Sequence, residues 1–175
     1  MEKYLLFLCL IFIFSCKPVH KKVQTTNGII DLNDWDFKND GITTLDGKWD
    51  FYWDKLYTPD DFINDSIKKI KPETIIVPGV WNDKSKISKI HKPRGFATYR
   101  VKIKTNIESQ KLAIKIVDIS SSYKVWINNI LILETGTVSS ERDKMKPEFR
   151  SKIAIFDKTA KEFFVTIQVS NYFYL

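Results

Sequence analysis

Tyr123-Lys-Val-Trp-Ile-Asn-Asn-Ile-Leu-Ile-Leu133 is the stretch on which the fold turns. Two runs rich in β-branched and aromatic residues flank Asn128-Asn129, and a two-residue asparagine turn tolerates the positive φ angles of a type I′ hairpin. Upstream, Thr98-Tyr-Arg-Val-Lys-Ile-Lys104 alternates strictly, and Lys111-Leu-Ala-Ile-Lys-Ile-Val117 follows a polar turn spanning Asn106 to Gln110. Both read as strands with one buried face. Downstream, Ser151 to Phe156 and Glu162 to Ser170 supply two more. Gly47-Lys-Trp-Asp-Phe-Tyr-Trp53 is a further strand, and another ends at Val77, where Pro78-Gly79 breaks it. Between these two, Thr58 as N-cap, Pro59 at the first helical position and acids in the first turn predict a short helix or a loop with one turn. No helical sequence is available for the crossovers of a parallel α/β fold. The expected fold is all-β, a sandwich of seven or eight strands.

The N-terminus sets the expected location. Met1-Glu2-Lys3, an apolar stretch from Tyr4 to Phe14 and then Ser15-Cys16 are too short to span a bilayer, which takes about 20 apolar residues. They suit a secretory signal peptide with a small residue before the cleavage point. Ile13-Phe14-Ser15-Cys16 resembles the bacterial lipobox, with Phe14 bulkier than the usual occupant. This predicts a signal peptide over 1–15, lipid attachment at Cys16, and a cell-envelope location with the domain facing the periplasm or the exterior. Residues 16–27, polar and without hydrophobic periodicity, read as a flexible tether, and 28–175 as the folded domain. Cys9 would leave with the signal and Cys16 would carry lipid, so no disulfide is expected.

The chain carries a net charge of +7, unchanged by loss of Glu2 and Lys3 with the signal. Such a surplus suits anionic lipid headgroups or acidic glycans. The lysines are scattered, however, and an exported chain without a recognition motif argues against nucleic-acid binding.

Four segments together resemble a known family: Leu45-Asp-Gly-Lys-Trp-Asp-Phe-Tyr-Trp53, Ile76-Val-Pro-Gly-Val-Trp81, Gly95-Phe-Ala-Thr-Tyr-Arg-Val101 and Ser121-Ser-Tyr-Lys-Val-Trp-Ile-Asn-Asn129. Their order is similar to that of galactose-binding-like jelly rolls, including the N-terminal sugar-binding domain of family 2 glycoside hydrolases. The chain also resembles the extracytoplasmic N-terminal region of bacterial receptors with seven transmembrane helices and diverse intracellular signalling modules. Gly28 to Phe37, Gly136-Thr-Val138 and Val169 to Tyr174 carry that second likeness. The resemblance implies a jelly-roll sandwich that binds a ligand, a carbohydrate being one class, or senses one for a membrane receptor or signalling partner.

Candidate site residues follow from motif and position. Trp49, Phe51 and Trp53 sit two apart on one strand face and read as core. Trp81, after the Pro-Gly break, can cap the sandwich or stack on a sugar ring. Arg94 precedes the Tyr99 strand, and Glu148 and Arg150 follow Pro147. All three sit in loops, where a rigid sandwich commonly carries its binding residues. Ligand binding is therefore assigned to Trp81, Arg94, Glu148 and Arg150. No catalytic residue, metal ligand or cofactor is expected. Family 2 glycosidases place their paired carboxylates on a separate barrel that this length cannot hold, and His20 and His91 lack ligand spacing. The expected function is a non-catalytic, lipid-anchored binding or sensory module. The rival readings are an accessory carbohydrate-binding subunit of a glycosidase and a structural or protein-interaction lipoprotein. Since Leu175 falls just after the last strand, the chain reads equally as a stand-alone sensor, a gene fragment or the first piece of a split receptor.

Overall fold

A computed structural model describes residues 21, 23–63, 67, 70–87, 89–106, 110–117, 119, 121–158 and 160–174. The predicted signal peptide and Cys16 lie outside the described residues. Among these residues ten strands follow one another: β1 Gln24–Thr26, β2 Ile29–Asp31, β3 Gly47–Trp53, β4 Glu73–Val77, β5 Gly95–Lys104, β6 Gln110–Ile116, β7 Ser122–Ile127, β8 Ile130–Thr135, β9 Lys152–Lys158 and β10 Glu162–Asn171. Every strand expected from alternation is present. Pairing begins at Gln24, inside the stretch read as tether. Asn27 with positive φ and Gly28 close a tight turn there, and β1 folds back on β2. At the predicted helix a 3₁₀ turn, Pro59–Phe62, forms. Asp61 accepts from both the Thr58 amide (2.7 Å) and its hydroxyl (2.8 Å). Most of residues 64–69 lie outside the described set.

Eight strands form one sheet, and β6 pairs with β9 in a second. The large sheet is organised around β5. One edge of β5 pairs along its whole length with β10. The other edge is divided between β3, opposite residues 97–100, and a parallel β2, opposite 102–104. β4 extends the sheet beyond β3, and β7 and β8 extend it beyond β10. The β7–β8 hairpin has the expected two-residue loop, but only Asn128 takes a positive φ (52°), so the turn is not type I′. Asn128 also holds β10: its main-chain N–H donates to the Phe164 carbonyl (2.8 Å) and its side-chain Oδ1 accepts the Phe164 N–H (2.9 Å).

Alternation assigns the two faces. Phe51, Ala97, Val101, Ile103, Val125, Val165 and Ile167 point inward and are buried together with Trp49. The β6–β9 pair closes part of this face through Ile114, Ile116, Ala154 and Phe156, and Phe156 meets Phe163 edge-on at 5.7 Å. This is the expected sandwich, with a second layer much narrower than the first.

The outer face is covered by the segment after β3. Thr98 Oγ1 donates to the Lys55 carbonyl (2.9 Å) and accepts the Tyr57 N–H (2.8 Å). Tyr52 meets Tyr57 and Phe62 edge-on, and the Arg100 guanidinium lies between the rings of Phe62 (4.0 Å) and Phe164 (3.8 Å). Cation–π contact of this kind keeps an arginine favourable in a partly dry layer. Burial still disfavours ionisation nearby: it raises the Asp50 pKa despite the neighbouring Arg100, and it pushes Tyr52 up to about 12. No helix among the described residues is long and apolar enough to cross a membrane.

Candidate functional site

Beyond the reach of β6–β9, the inner face of the large sheet is not closed by a second strand layer. A cavity of about 410 Å³ opens there, within the range of about 300–1,000 Å³ typical of small-molecule sites. Its floor is sheet: Trp49 from β3, Tyr99 from β5, and Ile167, Val169 and Asn171 from β10. Its wall is a single run of chain, Val77-Pro78-Gly79-Val80-Trp81-Asn82, completed by Pro93, Ile119 and Tyr174. The sequence motif that breaks β4 therefore becomes one side of the cavity.

Local chemistry explains why that wall holds its place. Ile76 N–H donates to the Lys86 carbonyl (2.6 Å), and Ile75 bridges to Ile87, tying the loop back to β4. The Trp81 indole N–H donates to the Pro93 carbonyl (3.1 Å), and the Trp81 carbonyl accepts the His91 N–H (3.1 Å). The His91 ring stacks on Trp53 at 4.5 Å, and its Nε2 lies 2.8 Å from Glu73 Oε2. A histidine that sequence placed in a lysine-rich loop thus packs beneath the cavity wall. A Cβ at Gly79 would meet the Ile76 carbonyl at 2.5 Å, so the close turn after Pro78 excludes larger residues.

Among the described residues no charged side chain lines the cavity. The Trp49 indole N–H is also engaged, by the Leu45 carbonyl at 2.9 Å. The Asn171 amide closes the turn that follows β10: Nδ2 donates to the Tyr174 carbonyl (3.1 Å) and Oδ1 accepts its N–H (3.0 Å). Both indoles therefore offer carbon surface to the interior. Tyr99 stands edge-on to Phe51 at 5.0 Å, and burial pushes its phenol pKa upward. Its hydroxyl makes no hydrogen bond among the described residues. Phe149 meets Tyr174 edge-on at 4.9 Å, extending the aromatic surface outward from the cavity.

Of the four sequence-predicted site residues, Trp81 lines the cavity, and it is also part of the buried core. Arg94 is exposed beside Pro93. Glu148 binds the Gly136 amide through Oε2 (3.0 Å) and pairs with Arg150 through Oε1 (3.1 Å). Neither Arg94 nor the Glu148–Arg150 pair lines the cavity, although Phe149 between them reaches Tyr174. Tyr99, Asn82 and Ile119 were not singled out from sequence. Only Tyr99 left a signal, as a residue with a polar tip at an inward position between Ala97 and Val101. Among the described residues no group of three side chains is arranged to hold a metal ion.

No protein-family model matches the chain, and no curated protein matches it. Solved structures do. A β-glucuronidase from Faecalibacterium prausnitzii is similar with a TM-score of 0.48 and 20% identity, over 73% of this chain and 20% of that one. A β-glucuronidase from Ruminococcus gnavus is similar with a TM-score of 0.48 and 17% identity, over 74% and 20% respectively. The chain spans about a fifth of the length of these enzymes.

Proposed function

We propose that this chain is a non-catalytic binding module, exported and held to a membrane by lipid at Cys16, whose cavity receives a neutral small molecule with a ring. The aromatic-walled cavity, uncharged among its described lining residues, carries this reading. A charged ligand taken out of water would find no counter-charge among the described lining residues, whereas a ring finds indole and phenol surface. The lipobox-like Ile13 to Cys16 supports the anchor, and a sensory role for a membrane partner follows from the motif resemblance.

A thermal-shift screen of the full chain against neutral saccharides and neutral ring compounds tests the binding step, because a ligand specific for the folded state raises apparent stability by mass action. Trp81→Ala would also remove a core residue, so Val80→Trp is the cleaner block: Val80 is exposed and lines the cavity. A shift abolished by Val80→Trp supports the module. A cooperative melt that no compound moves counts against it and favours a protein-interaction domain. Loss of membrane fractionation in Cys16→Ala checks the anchor.

A further inference from the structure

The cavity's hydrogen-bonding inventory narrows the ligand beyond neutrality. Each buried polar group needs a partner, and one left without it costs about 1–3 kcal/mol. The indole N–H groups of Trp49 and Trp81 are bound to main-chain carbonyls, and the Asn171 amide is bound to Tyr174. Three side-chain polar groups remain among the lining residues, and one of them, the Tyr174 hydroxyl, belongs to an exposed residue. The Asn82 amide is exposed. The Tyr99 hydroxyl belongs to the sheet floor, half-buried and without a hydrogen bond among the described residues. A monosaccharide would bring several hydroxyls into this space, and most would lose water without replacement. A ring with one hydroxyl or carbonyl would not.

Resting on the cavity as the binding site, we infer that it takes a ring compound that is apolar over most of its surface and presents a single hydrogen-bonding group to the Tyr99 hydroxyl. The walls of Val77, Pro78, Ile167 and Val169 then meet carbon, and the floor's one open polar group is satisfied. Tyrosine suits the role because its hydroxyl both donates and accepts, so an alcohol or a carbonyl is matched equally.

The test compares three compounds on the full chain by ligand-observed NMR titration: 4-methylphenol, toluene and methyl β-D-glucopyranoside. The inference expects 4-methylphenol to bind more tightly than toluene by about five- to tenfold, the worth of one hydrogen bond. Tyr99→Phe should erase that preference and leave toluene binding unchanged, and the glucoside should bind least. Because Tyr99→Phe keeps the ring against Phe51, a matched thermal melt identifies any loss of fold. If the glucoside binds more tightly than 4-methylphenol and Val80→Trp abolishes it, the cavity is a binding site but the inferred ligand class is wrong. A 4-methylphenol preference that survives in Tyr99→Phe overturns the role of the hydroxyl. If none of the three binds a cooperatively folded chain, both the inference and the binding reading fall.

Discussion

Ile103 and Ile167 stand on the same face of the same sheet, both in the buried core, yet their surroundings differ. Ile103 lies toward the end where Phe163 meets Phe156 of the second sheet, and it is fully buried. Ile167 pairs in register with Tyr99 and borders the cavity. Strand alternation treats the two positions alike. What separates them is the extent of the second layer: two strands cover one end, and a loop with Trp81 at its centre encloses the other. An inward face thus supplies a core where it is covered and a cavity where it is not.

The same substitution at both positions is the most direct way to break this comparison. Ile103→Ala should cost about 4 kcal/mol, near the upper part of the range for a tightly packed aliphatic side chain. Ile167→Ala should cost about 2 kcal/mol, because atoms beside an existing cavity have fewer neighbours to lose. Urea denaturation with constant m values measures both. Equal losses would mean that the cavity is collapsed in solution.

Gly136→Ala sharpens the comparison at the loop bearing Phe149. Gly136 has a φ of 65°, and an added Cβ would meet the Lys146 carbonyl at 2.1 Å and the Glu148 amide nitrogen at 3.1 Å. The cost should exceed about 1 kcal/mol. If the loop buttresses the open end, ligand binding should weaken along with stability.

Alkaline titration contrasts the outer face with the inner one. Tyr52, under Tyr57 and Phe62, has its pKa raised from 10.0 to about 12, and burial raises Tyr99 as well. A raised folded-state value means that their contribution to stability is complete below about pH 10 and is lost as pH climbs toward 12 and beyond. Tyr52→Phe should flatten the decline in stability between pH 10 and 12, measured by denaturant midpoint. A decline unchanged in Tyr52→Phe would show that water reaches the outer layer.

The smallest effect is expected for Tyr99→Phe near pH 7, a change in stability within about 1 kcal/mol. The hydroxyl has no partner to lose among the described residues, and the ring contact with Phe51 is retained. A larger loss would show that the hydroxyl is bonded within the folded protein, which is the arrangement a ligand-reading role excludes.

Much of the strand plan was legible because alternation is local. Thr98 to Lys104 announces its buried face without knowledge of any partner, and so do Trp49, Phe51 and Trp53. Asn128-Asn129 marked the hairpin correctly, but the turn type depended on anchoring to Phe164, which lies 36 residues away. β1 was hidden because Gln24-Thr-Thr26 is polar, and its pairing with β2 comes from the tight turn at Asn27-Gly28 rather than from burial. Trp81 was chosen from its motif and does line the cavity. Glu148 and Arg150 were chosen as exposed loop charges, and the structure shows them holding Gly136 and each other. Tyr99 and Asn82 line a cavity bounded by β5, β10 and the loop after β4, and no sequence spacing joins those three.

By itself the sequence determined an all-β chain, the inward and outward residues of its main strands, and a lipobox-like start that predicts export. These are properties of neighbours along the chain, set by the two-residue period of a strand and by short motifs. Tertiary structure alone decided that β5 divides one edge between β2 and β3, that the second layer stops short, and that the uncovered floor leaves Tyr99 facing a cavity. Those outcomes depend on which surfaces meet across long sequence separations, and burial and hydrogen-bond satisfaction are settled only when they do.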